Sequence, residues 1–390
     1  MFFACQETES NQPGYVVDVT FICQSRRIYP CVLALILFML GTAGCSILKT
    51  TAPIIYLSWD ENKVEQLYRQ NFGKEPQQLT GFSSGVRDYA PSPDGRLVIS
   101  STITENGDSL LWLMRADGSS QKELYTCSRA ECANFDWAQD SRRLLFEKRS
   151  IEDDGRVGTP TLWWLDTKSG DVLPLHADVS SLGAGGRLSP DGRWVSYHSP
   201  QQESLSLYNL EDSRSQTILN EIGTTAAWSP DSRYLVAPMF DLVILHGDEG
   251  DEHKSHTHDY QTAVHLKLID PQSGEQTNLS GQISVEDSVP AWSPDGQWIA
   301  FGRRQPGTNT ARQIWVMRSD GSEARALTAD PAINHGPPAW SADGRYLLFQ
   351  QIDQNDLTAD PQIWRIDVDS GEKELLAASG MQPSWLESER

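Results

Sequence analysis

Five of the chain's eight histidines, His246, His253, His256, His258 and His265, fall within twenty residues, beside Asp248, Glu249, Asp251, Glu252 and Asp259. Imidazole nitrogens and carboxylate oxygens together suit zinc or copper. Side chains on an extended backbone alternate with period two, so His256 and His258 would face one side and His253 could join from a bend. Those three are the candidate ligands. The competing reading of the segment, residues 241–262, is a solvated acidic loop, since it carries no short metal motif of known spacing.

The other chemical patterns are thinner. Gly81-Phe82-Ser83-Ser84-Gly85 spells a nucleophile elbow, but no strand-turn-helix context surrounds it. Cys127 and Cys132, with four residues between them, can close a small disulfide loop in an oxidising compartment, whereas a zinc site there lacks a second ligand pair. Six aspartates, Asp94, Asp140, Asp191, Asp231, Asp295 and Asp343, recur in one sequence setting. Identical residues in successive units point to a shared turn; a ring of metal or catalytic carboxylates is the functional alternative.

That setting is a repeat. APSPDGRLVIS from Ala90, RLSPDGRWVSY from Arg187, AWSPDGQWIAF from Ala291 and AWSADGRYLLF from Ala339 share it, and the six aspartates stand 46, 51, 40, 64 and 48 residues apart. In Ser-Pro-Asp-Gly, Pro fixes φ, Asp bonds its own backbone and Gly accepts positive φ, so the chain must turn. Apolar runs such as WIAF follow, as suits a strand packed on both faces and forming the blade's inner wall. A third strand with a central aromatic (LLWLM from Leu110, QIWVM from Gln313) and a short fourth complete each unit. The period predicts an all-β, seven-bladed β-propeller of four-stranded antiparallel blades, with six blades as the alternative. Residues 54–80 supply three strands of one blade and Met381–Leu386 the fourth, so the termini should pair and remove two open edges. One propeller domain over 54–390 is expected.

The N-terminal segment sets the expected compartment. Arg26 and Arg27 precede the apolar run Cys31–Leu40 and the small residues Gly41-Thr42-Ala43-Gly44 before Cys45. Such a run falls short of the roughly 20 residues a membrane span needs and suits a signal peptide. Small residues before a cysteine resemble a bacterial lipobox, making 1–45 the leader, Cys45 the lipidated residue and 46–53 a linker. Cleavage without lipid and an uncleaved anchor are the alternatives. The formal charge of -21 excludes nucleic acid as a partner and favours a cationic or neutral one.

The WSPDG turns, the apolar strands after them and the IWVM-type strands resemble the propeller repeats of the TolB family over about residues 54–386. TolB proteins carry an α/β domain ahead of a six-bladed propeller, whereas only eight residues separate Cys45 from the first strand here. The matching motifs are structural turns, so no partner-binding residue transfers. Similar repeats form the gating propellers of prolyl-oligopeptidase-like enzymes. With no nucleophile–base pair or phosphate-cradling loop in the sequence, the expected function is non-enzymatic. It is that of an exported, lipid-anchored, monomeric protein on the extracytoplasmic side, docking a protein or a cell-surface polymer. No cofactor is expected unless zinc or copper binds at 241–262. The alternative is a metal-dependent hydrolase or lyase acting on glycans or peptides.

Overall fold

The computed structural model describes residues 52–176, 182–245, 259–356 and 358–386, and the regular elements among them are all β-strands. The repeating turn shows why. At Asp94, Ser92 Oγ donates to Oδ1 at 2.6 Å and Arg96 N at 3.1 Å, while Leu97 N donates to Ser92 Oγ at 3.0 Å. Gly95, at φ 65°, takes the left-handed position. The same bonds recur around Asp191, Asp231 and Asp295. Where serine replaces that glycine, as at Ser141 (φ 51°) and Ser232 (φ 59°), its hydroxyl accepts from the preceding unit, from Asp94 N at 3.1 Å and Asp191 N at 2.9 Å. A locally unfavourable backbone thereby gains a contact between units.

Within a unit the strands pair in chain order. Asp88–Pro91, Leu97–Ile103, Ser109–Arg115 and Lys122–Cys127 form one antiparallel sheet, and two further four-stranded sheets follow over 130–174 and 184–219. The apolar runs are the second strands, buried on both faces: Leu347, Leu348 and Phe349 are all fully buried. They are not the inner wall. First strands are neighbours around the ring, because each repeat tryptophan donates its indole N–H to the preceding first strand: Trp137 to Ala90 O at 3.1 Å, Trp292 to Ala227 O at 3.1 Å and Trp340 to Ala291 O at 3.0 Å.

The expected count of seven four-stranded blades, or six, is overturned: five blades are seen among the described residues. Five sheets have blade size, four of them with four strands and one with five, and the remaining sheet has eight. The cause is local. Leu235–Leu245 and Asp259–Ile269 form an eleven-residue-a-side hairpin, and the chain leaving that unit runs alongside it. Val264 there pairs in parallel with Glu286, and Val264 N donates to Val285 O at 2.8 Å, fusing the units that begin at Ala227 and Ala291. The terminal strands do pair, Ile54 with Trp385 and Ile55 with Ser384.

Candidate functional site

Because the aspartate turns join first strands to second strands, they all lie at one end of the sheets. The opposite end gathers the starts of first strands, the ends of second strands and the starts of third strands. Here the first strands are irregular, with register shifts between Ala133 and Asp136, Ala184 and Arg187, and Ser288 and Ala291. Inside these shifts Asn134, Gly185 and Val289 hold positive φ, at 55°, 60° and 47°. Such bulges re-aim side chains. For β-branched Val289 the conformation is strained.

Charged side chains converge at this end. Glu147, 3% exposed, accepts from Asn134 Nδ2 at 3.0 Å and Gly185 N at 2.9 Å and pairs with Arg149. Asp88 accepts from Tyr89 N at 2.8 Å and from Asn134 N, and Asp136 from Leu188 N at 2.7 Å. Burial pushes the Asp88 carboxyl above the ordinary range, only partly offset by those backbone donors and by Arg187. Asp287, fully buried, takes Arg303 Nε at 2.6 Å, Arg303 Nη2 at 2.7 Å and Ser280 Oγ at 2.6 Å. Removing one partner of such a pair typically costs about 3–5 kcal/mol. Each of these carboxylates is held by donors from a neighbouring strand or unit, so what it supplies is rigid position.

Two further groups at this end are less well matched. His335, 1% exposed, places Nδ1 3.0 Å from Arg312 O, and its Nε2 has no partner among the described residues. Burial holds its pKa below the ordinary value. Arg304 pairs with Glu286, while the Nε of nearby Arg312 is buried without an acceptor.

The residues singled out by sequence are dispersed. Cys45 and the candidate metal ligands His253, His256 and His258 lie outside the described residues. His265 sits on the strand Asp259–Ile269, fully buried, with Nδ1 3.1 Å from Asp241 Oδ2 and Nε2 2.8 Å from Ile283 O. For Asp241, burial is outweighed by His265, Leu242 N and Lys267, which hold the carboxyl low. Segment 241–262 is strand at both of its ends, not loop throughout. Among the described residues no group of three His, Cys, Asp or Glu is placed to hold a metal ion.

Cys127 and Cys132 are joined by a disulfide between successive sheets. The aspartates Asp94, Asp140, Asp191, Asp231, Asp295 and Asp343 occupy turns at the end away from the converging charges. Ser83 and Ser84 lie exposed in an irregular connection. Sequence reading missed Glu147, Asp287, Arg303, Arg312 and His335. For Glu147 and Arg303 a usable signal existed, since the apolar second strands end in polar residues: FEKRS from Phe146, FGRRQ from Phe301 and FQQID from Phe349.

Two of the shallow concavities among the described residues have defined linings. One, of about 360 Å³, is lined by Tyr56, Trp59, Lys74 and Ser379, where burial pushes the Tyr56 phenol up to about 12. The other, of about 390 Å³, lies by the turn residues Gly296, Arg318 and Asp320.

Residues 257–388 match the TolB beta propeller domain family. Over 213 residues the chain is 24% identical to the uncharacterized peptidase YuxL of Bacillus subtilis, covering 46% of this chain and 31% of that one, so it spans about a third of that relative's length. Among solved structures, TolB from Acinetobacter baumannii superposes with a TM-score of 0.52 at 13% identity, covering 86% of this chain and 67% of that one. Puromycin hydrolase gives 0.62 at 16% identity, covering 85% of this chain and 53% of its own. At such identities the structural likenesses speak for fold. With the repeat turns and the sheet order, the chain is an all-β propeller whose residues 257–388 are similar to the TolB beta propeller domain.

Proposed function

We propose that this propeller is a non-enzymatic, exported envelope protein that docks a protein or a cell-surface polymer on the end opposite its aspartate turns. The carrying observation is the convergence there of buried, donor-held carboxylates, Glu147 on a second strand braced by two bulged first strands and Asp287 on a bulged first strand, which together make a rigid scaffold. Arg26, Arg27, the apolar run and Cys45 support export with a lipid anchor. The charge of -21 favours a partner that is neutral or cationic overall. Capture of envelope partners by the intact chain tests the reading. Arg304→Ala, at the docking end, should weaken capture, and Arg318→Ala, at the turn end, should not; the reverse pattern defeats it.

A hydrolase reading has support from YuxL and puromycin hydrolase, whose names are those of enzymes. In that case the propeller would screen substrates for a hydrolytic site. Turnover of peptide or glycan substrates by the purified chain would move the assignment to catalysis, and saturable binding without turnover keeps it with docking.

A further inference from the structure

We propose that Arg312 is an anion-recognition residue of the docking end, built to receive one carboxylate from a protein partner. The inference deepens the docking reading and rests on it.

The site is constructed rather than incidental. Arg312 precedes the strand Gln313–Arg318, and its side chain lies against the Gly302 backbone. A Cβ at position 302 would stand 2.2 Å from Arg312 Cδ and 3.3 Å from Nε, so glycine is what admits this path. The arginine backbone is fixed on both sides. Its N–H donates to Asn334 Oδ1 at 3.1 Å, and its carbonyl receives His335 N at 3.1 Å with His335 Nδ1 at 3.0 Å.

Its guanidinium is nonetheless unmatched. No described residue accepts a hydrogen bond from it, and Nε is buried. The neighbouring arginines differ: Arg303 is held bidentately by Asp287 and Arg304 is paired with Glu286. Arg304, Arg312 and Glu286 together leave one positive charge uncompensated, and burial followed by repulsion from Arg304 lowers the Arg312 pKa. A buried donor without an acceptor is a standing cost that a bound acceptor would relieve.

One planar fork and one excess charge suit a single carboxylate; a phosphate dianion would call for a second free cation, and Arg304 is already engaged. The chain's overall charge of -21 repels a polyanion, which argues against an acidic polysaccharide. A neutral or cationic protein presenting one carboxylate, at its C-terminus or on a side chain, satisfies both the local and the long-range requirement.

Calorimetric titration of the full chain tests this with three probes: a lysine-rich pentapeptide with a free C-terminal carboxylate, the same peptide amidated, and a uronic-acid oligomer. The free-carboxylate peptide should bind about tenfold more tightly than its amide, and Arg312→Gln should erase the difference. Arg312→Lys, which keeps the charge and loses the fork, should retain only part of it. Because the guanidinium has no protein partner, Arg312→Gln should melt no lower than the parent, and the free peptide should raise the melting temperature of the parent alone. Equal binding of the two peptides, indifference to both substitutions, or tighter binding of the uronic-acid oligomer overturns the proposal. A variant that captures envelope partners as the parent does, yet ignores the carboxylate, defeats this inference alone; a parent that captures nothing at this end defeats the reading beneath it.

Discussion

Some carboxylates in this chain bind their own turn and others bind a distant strand. Asp295 Oδ1 accepts from Ser293 Oγ at 2.6 Å and Gln297 N at 3.0 Å, both two residues away, so the tetrapeptide alone encodes the turn. Asp295→Ala should destabilise by about 1–2 kcal/mol in urea unfolding, and Asp295→Asn, which can still accept, by less. Glu147 instead reaches Gly185, 38 residues away, and no local pattern announces that partnership. His335 adds a pH term whose sign follows from its burial. Its pKa is lowered in the fold, so below about pH 6.5, the ordinary value, the unfolded chain binds more protons than the native one. The stability contributed by keeping the ring neutral is therefore present above that pH and lost as pH falls toward the lower folded value. His335→Gln should flatten the fall in melting temperature between about pH 6.5 and 5, and an unchanged slope would remove His335 as its source.

Among the elements, the repeat period made the four-strand unit readable, because Ser-Pro-Asp-Gly turns and apolar second strands are local signals. The fusion of two units into an eight-stranded sheet was not readable, since it rests on backbone pairing of Val264 with Glu286, which leaves no mark on side-chain pattern. The hairpin that carries Val264 was hidden by its Gly, Asp and His content, although its flank alternates. Met239 and Val243 are buried, whereas Phe240 and Leu242 are 51% and 60% exposed. The bulges were equally silent, and Val289 shows what they cost. A β-branched residue at φ 47° is strained by about 1–3 kcal/mol, comparable to the roughly 1 kcal/mol that half-burying its side chain returns. Val289→Gly should therefore be neutral or stabilising by about 1 kcal/mol by chemical denaturation, against the usual sign for glycine in a strand. A clear loss of stability would show that the side chain's packing outweighs its backbone.

For the whole molecule the decisive element is its last strand, Met381–Trp385, because that strand touches three sheets at once. It pairs with Ile54 and Ile55 in its own sheet, and Leu386 N donates to Pro53 O at 2.8 Å just beyond it. Trp385, 8% exposed, packs among Ile54, Tyr56, Leu348 and Ile363 and donates its indole N–H to Ala339 O at 3.0 Å in the preceding sheet. The Tyr89 hydroxyl of the following sheet lies between the carbonyls of Ile55 and Gln382. Truncating an indole so enclosed costs about 3–5 kcal/mol, which is a large share of the roughly 5–15 kcal/mol that holds a typical domain. Trp385→Ala should therefore lower the melting temperature sharply while leaving a folded monomer. Truncation after Gly380 removes the same indole and also bares the hydrogen-bonding edge of Ile54–Trp59, a template for another chain. Size-exclusion chromatography should then find aggregates, and circular dichroism should show a melt far below that of the point variant. A truncated chain that stays monomeric and melts with the parent would mean the ring holds without its terminal pairing, and that the pairing of Ile54 with Trp385 carries no stability.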